Sequence, residues 1–138
     1  LRKDMPSGTI DLCGKIDFAE LWQLLNRATL YIGTDTVVTH MAAARGTPTV
    51  AIFGPSNPVK WGPWPRDLAL GEFLSPWELR GSQTNRNVFL LQGIGSCVPC
   101  FGEGCDRHIN SESECLTQMN PDRILGAADA LIKKFKNG

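Results

Sequence analysis

Within six positions the chain sets a carboxylate, a hydroxyl and an imidazole, Asp35, Thr36 and His40, directly behind Gly33. Oxygen and nitrogen groups of this kind grip a hydroxyl-rich or phosphorylated ligand. A helix that begins beside them adds free N–H groups and the positive end of its dipole. If Thr36 stands near the first turn, His40 lies one turn further on the same face, so Asp35, Thr36 and His40 converge on one small ligand. A plainer reading stands beside it, in which Asp35 caps the helix and His40 is a satisfied core histidine. The run contains neither G-x-G-x-x-G nor a Walker A lysine, so dinucleotide binding of the Rossmann-fingerprint type and P-loop phosphoryl transfer lose support.

The elements that must hold these residues follow from local pattern. Thr9 to Gly14 reads as a short strand with a glycine stop, in which Cys13 packs. Asp17 and Glu20 form a capping-box pair ahead of a helix whose apolar face is Phe18, Leu21, Leu25 and Ala28. Thr29 to Gly33 is an uncharged, β-prone run, as expected of a strand buried on both faces of a parallel sheet. Thr34, Asp35 and Thr36 offer oxygen-bearing caps to a helix over Val37 to Arg45, which Gly46 and Pro48 end. Ala42, Ala43 and Ala44 let that helix approach the sheet closely. Thr49 to Phe53 and Val88 to Leu91 are further strands, and Asn120 and Pro121 open a last helix over about 121–136 with Ile124, Ala128, Leu131 and Phe135 as its buried stripe. Alternating strands and helices predict an α/β fold, a parallel sheet with helices on its faces.

Two segments do not fit that alternation. The loop over about 55–87 carries five prolines with Trp61, Trp64 and Trp77, and loops of that length are commonly functional or cover something. Trp61, Trp64 and Trp77 could stack on sugar rings and Lys60 and Arg66 meet phosphates of an acceptor, or the tryptophans could pack the loop onto the sheet. The segment 97–115 holds Cys97, Cys100, Cys105 and Cys115. Its single C-x-x-C pair leaves three readings open: a structural zinc or iron–sulfur site, with His108 as a substitute ligand, a disulfide pair, or free thiols.

Composition bounds the rest. The 138 residues, with 42% hydrophobic content, fit one domain over 1–138 with a real core. Fourteen Lys and Arg balance fourteen Asp and Glu, so no basic footprint for nucleic acid is present. No hydrophobic run reaches the ~20 residues of a membrane span. The chain starts at Leu1 with neither a methionine nor a signal-peptide pattern, which suggests a piece of a longer polypeptide, truncated within its first elements.

The blocks D-L-x-G-K (Asp11 to Lys15), G-x-D-T-x-x-x-H-x-A-A-A (Gly33 to Ala44), G-T-P (Gly46 to Pro48) and F-G-P (Phe53 to Pro55), with Pro58 nearby, occur in that order. Together they resemble the C-terminal domain of glycosyltransferase family 9, the ADP-heptose:lipopolysaccharide heptosyltransferases. The likeness runs from about Asp11 to Trp64 and resumes in the cysteine segment and last helix. It implies the C-terminal, donor-binding half of a GT-B fold, with Asp35 on the donor sugar, the amides of Thr36 and Val37 on its diphosphate and His40 supporting that site. It also implies an inverting transfer of heptose from ADP-heptose to a lipid A and Kdo-type acceptor that needs no cofactor, at the cytoplasmic face of the bacterial inner membrane with peripheral membrane contact. The catalytic base would be a carboxylate of an N-terminal domain outside this chain. Family members usually carry glycine where this chain has Val37. Two other classes stay open: a non-catalytic nucleotide-binding or zinc-stabilised module, and a nucleotide-sugar epimerase-like enzyme using Asp35 with His40.

Overall fold

The computed structural model describes residues 4–68, 75–108 and 110–136. The Asp17 carboxylate accepts the Glu20 N–H at 2.8 Å and the Glu20 carboxylate accepts the Asp17 N–H at 3.0 Å, so the reciprocal cap starts helix α1 (Phe18–Arg27) as its spacing predicts. Leu25 faces the core, whereas Phe18 is 64% exposed and drops out of the predicted stripe, because the first turn of α1 overhangs the packed layer. Strand β1 (Tyr31–Thr34), helix α2 (Val37–Arg45) and strand β2 (Thr49–Phe53) follow. Gly46 takes φ 91° at the end of α2, a left-handed turn that glycine adopts without a Cβ penalty.

After β2 come the one-turn helix α3 (Pro58–Trp61), strand β3 (Gln83–Asn85), strand β4 (Val88–Gln92), the one-turn helix α4 (Glu114–Thr117) and helix α5 (Pro121–Lys136). The long Trp/Pro loop is therefore not structureless. The strand order is β1-β2-β4-β3; β1, β2 and β4 run parallel, and β3 is antiparallel to β4. The sheet is mixed where a parallel one was expected, because the two-residue connection Arg86–Asn87 folds β3 straight back along the free edge of β4.

Two further expectations change. Thr9 to Cys13 is irregular: the Asp11 carboxylate accepts the Cys13 N–H at 3.0 Å in a local turn, and that bond competes with any ladder. Cys13 is accordingly exposed. Strand β1 alternates half-buried and exposed residues instead of being covered on both faces, since among the described strands it borders only β2.

Two apolar clusters sandwich the sheet. Ala43, Ala51, Phe53, Trp77, Val88 and Leu90 form the layer under α2, and Val50, Leu91, Ala127, Ala128 and Leu131 form the layer under α5, with Leu30, Ile52, Phe89, Met119 and Ile124 at its margin. Successive β2 residues thus feed opposite faces, as the pleat requires. Ala42 and Ala43 are fully buried as predicted, but Ala44 turns outward at ~100° per residue. Asn120 caps α5 through the Asp122 N–H at 2.9 Å, and the last turn carries Phe135 out to 45% exposure, clear of the sheet.

The polar tie among these layers is Asn87, 4% exposed. Its amide nitrogen donates to Ala43 O at 3.0 Å and Thr47 O at 2.9 Å, and its carbonyl oxygen accepts the Arg66 N–H at 3.0 Å. Replacing Asn87 by Ala removes three hydrogen bonds, while Ala43 O keeps the Gly46 N–H and Thr47 O keeps the Thr49 hydroxyl, and should destabilise the chain by about 1–2 kcal/mol in urea unfolding. A loss under about 0.5 kcal/mol would show that water re-satisfies these groups.

Candidate functional site

Because β1 and β2 are parallel, the residues that leave them emerge at one edge of the sheet. There Asp35 follows β1, Thr36 is the N-cap of α2, Val37 is its first residue, and His40 lies one turn in. His40 Nε2 stands 3.7 Å from Asp35 Oδ1, an ion pair whenever the imidazole is protonated. Both side chains are part-exposed, so neither is a core group.

The cap itself differs from expectation. Thr36 makes no side-chain cap bond; its hydroxyl instead lies 3.4 Å from Thr39 Oγ1. Thr39, fully buried, also meets Tyr31 Oη at 3.1 Å and donates to Thr34 O, tying the helix to β1. No side chain caps the start of α2, so, whereas the N–H groups of Thr39 and His40 bond Thr36 O at 3.0 and 3.3 Å, those of Val37 and Val38 have no acceptor within the helix. Val37, 56% exposed, stands at their mouth.

A cleft of about 240 Å³ opens beside Asp35, walled by Pro55 and Ser56 from the end of β2, Trp61 of α3, and Phe101 and Gly102 of the cysteine segment. Larger hollows of about 470 and 610 Å³ lie along α1 and the irregular 5–13 segment. The second is walled by one irregular stretch of chain, and neither includes Asp35; the cleft beside Asp35 is itself lined by neither Thr36, Val37 nor His40, so of the predicted donor-site residues only Asp35 opens into it. Phe101, Gly102 and Ser56 were not singled out from sequence. Ser56 follows a predicted strand at its carboxyl end, which is a usable signal; Phe101 has none, since only the bond from its N–H to Pro55 O, 2.9 Å, carries it there.

The loop aromatics divide. Trp77 is 4% exposed and donates from Nε1 to Pro63 O at 3.0 Å, so it packs. Trp61 is 53% exposed, with the Lys60 ammonium 5.0 Å from its ring centroid, and Trp64 is half-buried outside the cleft lining. Arg66 points to the far edge, where it reaches Arg45 O at 3.4 Å.

All five cysteines are free thiols. Among the described residues, no three His, Cys, Asp or Glu side chains are grouped so as to hold a metal ion, so Cys97, Cys100, Cys105 and Cys115 are not assembled as ligands and His108 does not join them. Cys97, Cys100 and Cys105 are exposed, whereas Cys115 packs against Gly93. Burial pushes the Cys115 thiol above its ordinary pKa, and the neighbouring Cys100 and Cys105 push it further.

A family model for glycosyltransferase family 9 (heptosyltransferase) matches residues 1–71. Lipopolysaccharide heptosyltransferase 3 of Escherichia coli is 40% identical over 57 residues, 41% of this chain and 17% of that protein. Lipooligosaccharide heptosyltransferase 2 of Campylobacter jejuni is 25% identical over 123 residues, 89% and 32%. Lipopolysaccharide heptosyltransferase 1 of Pseudomonas aeruginosa is 25% identical over 129 residues, 86% and 31%. The chain thus spans about a third or less of the length of these relatives. No solved structure is a significant match.

A thiol held above its usual pKa carries less thiolate at neutral pH and alkylates more slowly. Iodoacetamide mapping at pH 7.5 should modify Cys97, Cys100 and Cys105 before Cys115, with the lag shrinking as pH rises; equal rates for all four would contradict the burial of Cys115.

Proposed function

The chain belongs to glycosyltransferase family 9, the heptosyltransferases, and from that membership we propose that it is the nucleotide-sugar-binding side of an enzyme that transfers heptose from ADP-heptose to the inner core of lipopolysaccharide. The observation that carries this reading is the convergence of Asp35 and His40, 3.7 Å apart, at the open start of α2. In it, the Asp35 carboxylate accepts hydrogen bonds from hydroxyls of the donor sugar. The amides of Thr36 and Val37 face the diphosphate, and His40 supports Asp35 from one turn along the helix.

The chemistry asked of these groups is modest. An inverting displacement develops negative charge on the departing diphosphate, and aligned amides at a helix start stabilise that charge without reorganising. Deprotonation of the acceptor hydroxyl needs a base on the opposite side of the sugar. We assign that base to a part of the enzyme outside these 138 residues, so this chain alone binds the donor and does not turn over. No metal is required in this scheme. The acceptor, a lipid A and Kdo-type lipopolysaccharide, would meet the enzyme from the cytoplasmic face of the inner membrane, with Lys60, Trp61 and Trp64 on the side of the loop nearest it.

Adding ADP-heptose should shift the resonances of Asp35, Thr36 and His40, and Asp35→Ala should weaken binding about 10- to 100-fold, the worth of a charge-assisted hydrogen bond. Unchanged spectra at millimolar ligand would remove the reading.

A further inference from the structure

Phe101 combines three properties that packing does not explain. Its backbone adopts φ 59°, the left-handed region that a bulky side chain disfavours. Its ring is 62% exposed. Its position is nonetheless held, because Val98 and Pro99 before it are buried and its N–H bonds Pro55 O at 2.9 Å. Strain at an exposed, restrained residue is the signature of a site that uses it.

The other aromatic that lines the cleft is Trp61, also exposed, whose ring the Lys60 ammonium steadies from 5.0 Å. Trp77 shows what a packing aromatic in this protein looks like: buried, with its N–H satisfied. Trp61 and Phe101 instead wall a space that also presents the Asp35 carboxylate and the Ser56 hydroxyl. At about 240 Å³ the space is below the ~300–1,000 Å³ of drug-sized pockets and takes one ring, not a whole nucleotide sugar. Aromatic faces receive the C–H face of a saturated ring, and a carboxylate with a hydroxyl receives its O–H groups. A saturated ring with several hydroxyls uses both features at once, and a nucleobase, which stacks on the same faces and donates from its amino group, is separated from it by the titration below.

We propose that Phe101, in the same cleft lining as Trp61, is the platform on which the donor's sugar ring lies while Asp35 holds its hydroxyls. This rests on the nucleotide-sugar reading above and extends it to a residue in the cysteine segment. The buried Val98 and Pro99 then act as the anchor that displays the ring.

The test is calorimetric titration of the whole chain with ADP and with ADP-heptose, for wild type, Phe101→Gly and Phe101→Tyr. Glycine removes the ring and is at ease at φ 59°, so the variant should melt no lower than wild type while losing the platform. The expected result is an affinity for ADP-heptose about tenfold weaker in Phe101→Gly, with ADP affected less than about twofold and Phe101→Tyr close to wild type. Equal losses for ADP and ADP-heptose would assign the ring to the nucleotide and overturn the proposal, as would undiminished ADP-heptose binding in Phe101→Gly. If wild type binds ADP and only the Phe101 result fails, the nucleotide-sugar reading survives without the platform. If wild type binds neither ligand, both fall.

Discussion

Strand β2 pairs with a parallel neighbour on each side, β1 and β4, and this pairing is the constraint on which the rest of the molecule depends. Parallel neighbours cannot be joined by a hairpin, so the chain must cross over a face of the sheet between strands. The crossovers supply α2 and, through the long loop, the Trp77 layer, and together with α5 they bury Val50, Ala51 and Phe53 completely. The same direction of travel makes every parallel strand end at one edge. Asp35, Ser56 and the start of the cysteine segment are neighbours there because three strands agree in direction, although they are far apart in sequence.

The two edges of the sheet are finished in opposite ways. At the far edge polar groups are buried and satisfied: Asn87 bonds Ala43 O, Thr47 O and the Arg66 N–H, and Thr47 donates to Leu25 O at 2.7 Å across 22 residues. Such bonds fix geometry, since each ties a buried side chain to backbone far away in sequence. At the near edge the N–H groups that open α2 meet no capping side chain, and Trp61 and Phe101 stand in solvent. A domain that closes one end with its own polar groups and leaves the other open has its binding capacity where the backbone is unsatisfied.

This asymmetry also explains what could be read from sequence. The capping box at Asp17 and Glu20, the Asn120–Pro121 start, the Gly46 stop and the apolar run at 49–53 are local signals, and each element begins or ends where they say. The Asp35–His40 meeting is local too, being one helical turn. What escaped reading depends on partners distant in the chain. Gln83–Asn85 has no apolar alternation and is a strand only because β4 has a free edge. Thr9 to Cys13 has a strand-like pattern but makes its own turn at Asp11. Phe18 and Phe135 extend apolar stripes past the end of the layer that would cover them. Phe101 is a hydrophobic residue among turn formers, and only the fold shows that it faces Asp35's cleft and not the core.

Charge neutrality sharpens the physical demand on that cleft. With equal numbers of acidic and basic residues, the chain has no net charge to draw an anion from a distance, so the diphosphate binding proposed above would rest on groups within contact distance. A helix terminus supplies such groups, and its strength falls off within the first turn. Val37 then matters more than its type suggests. Exposed at 56%, it adds little to the core, yet a β-branched side chain at the first helical position leans toward the helix start and narrows access to the amides beside it. On the proposed reading, a sugar ring held by Trp61 and Phe101 would set its attached phosphates toward the helix start, the aromatics orienting what the amides would hold.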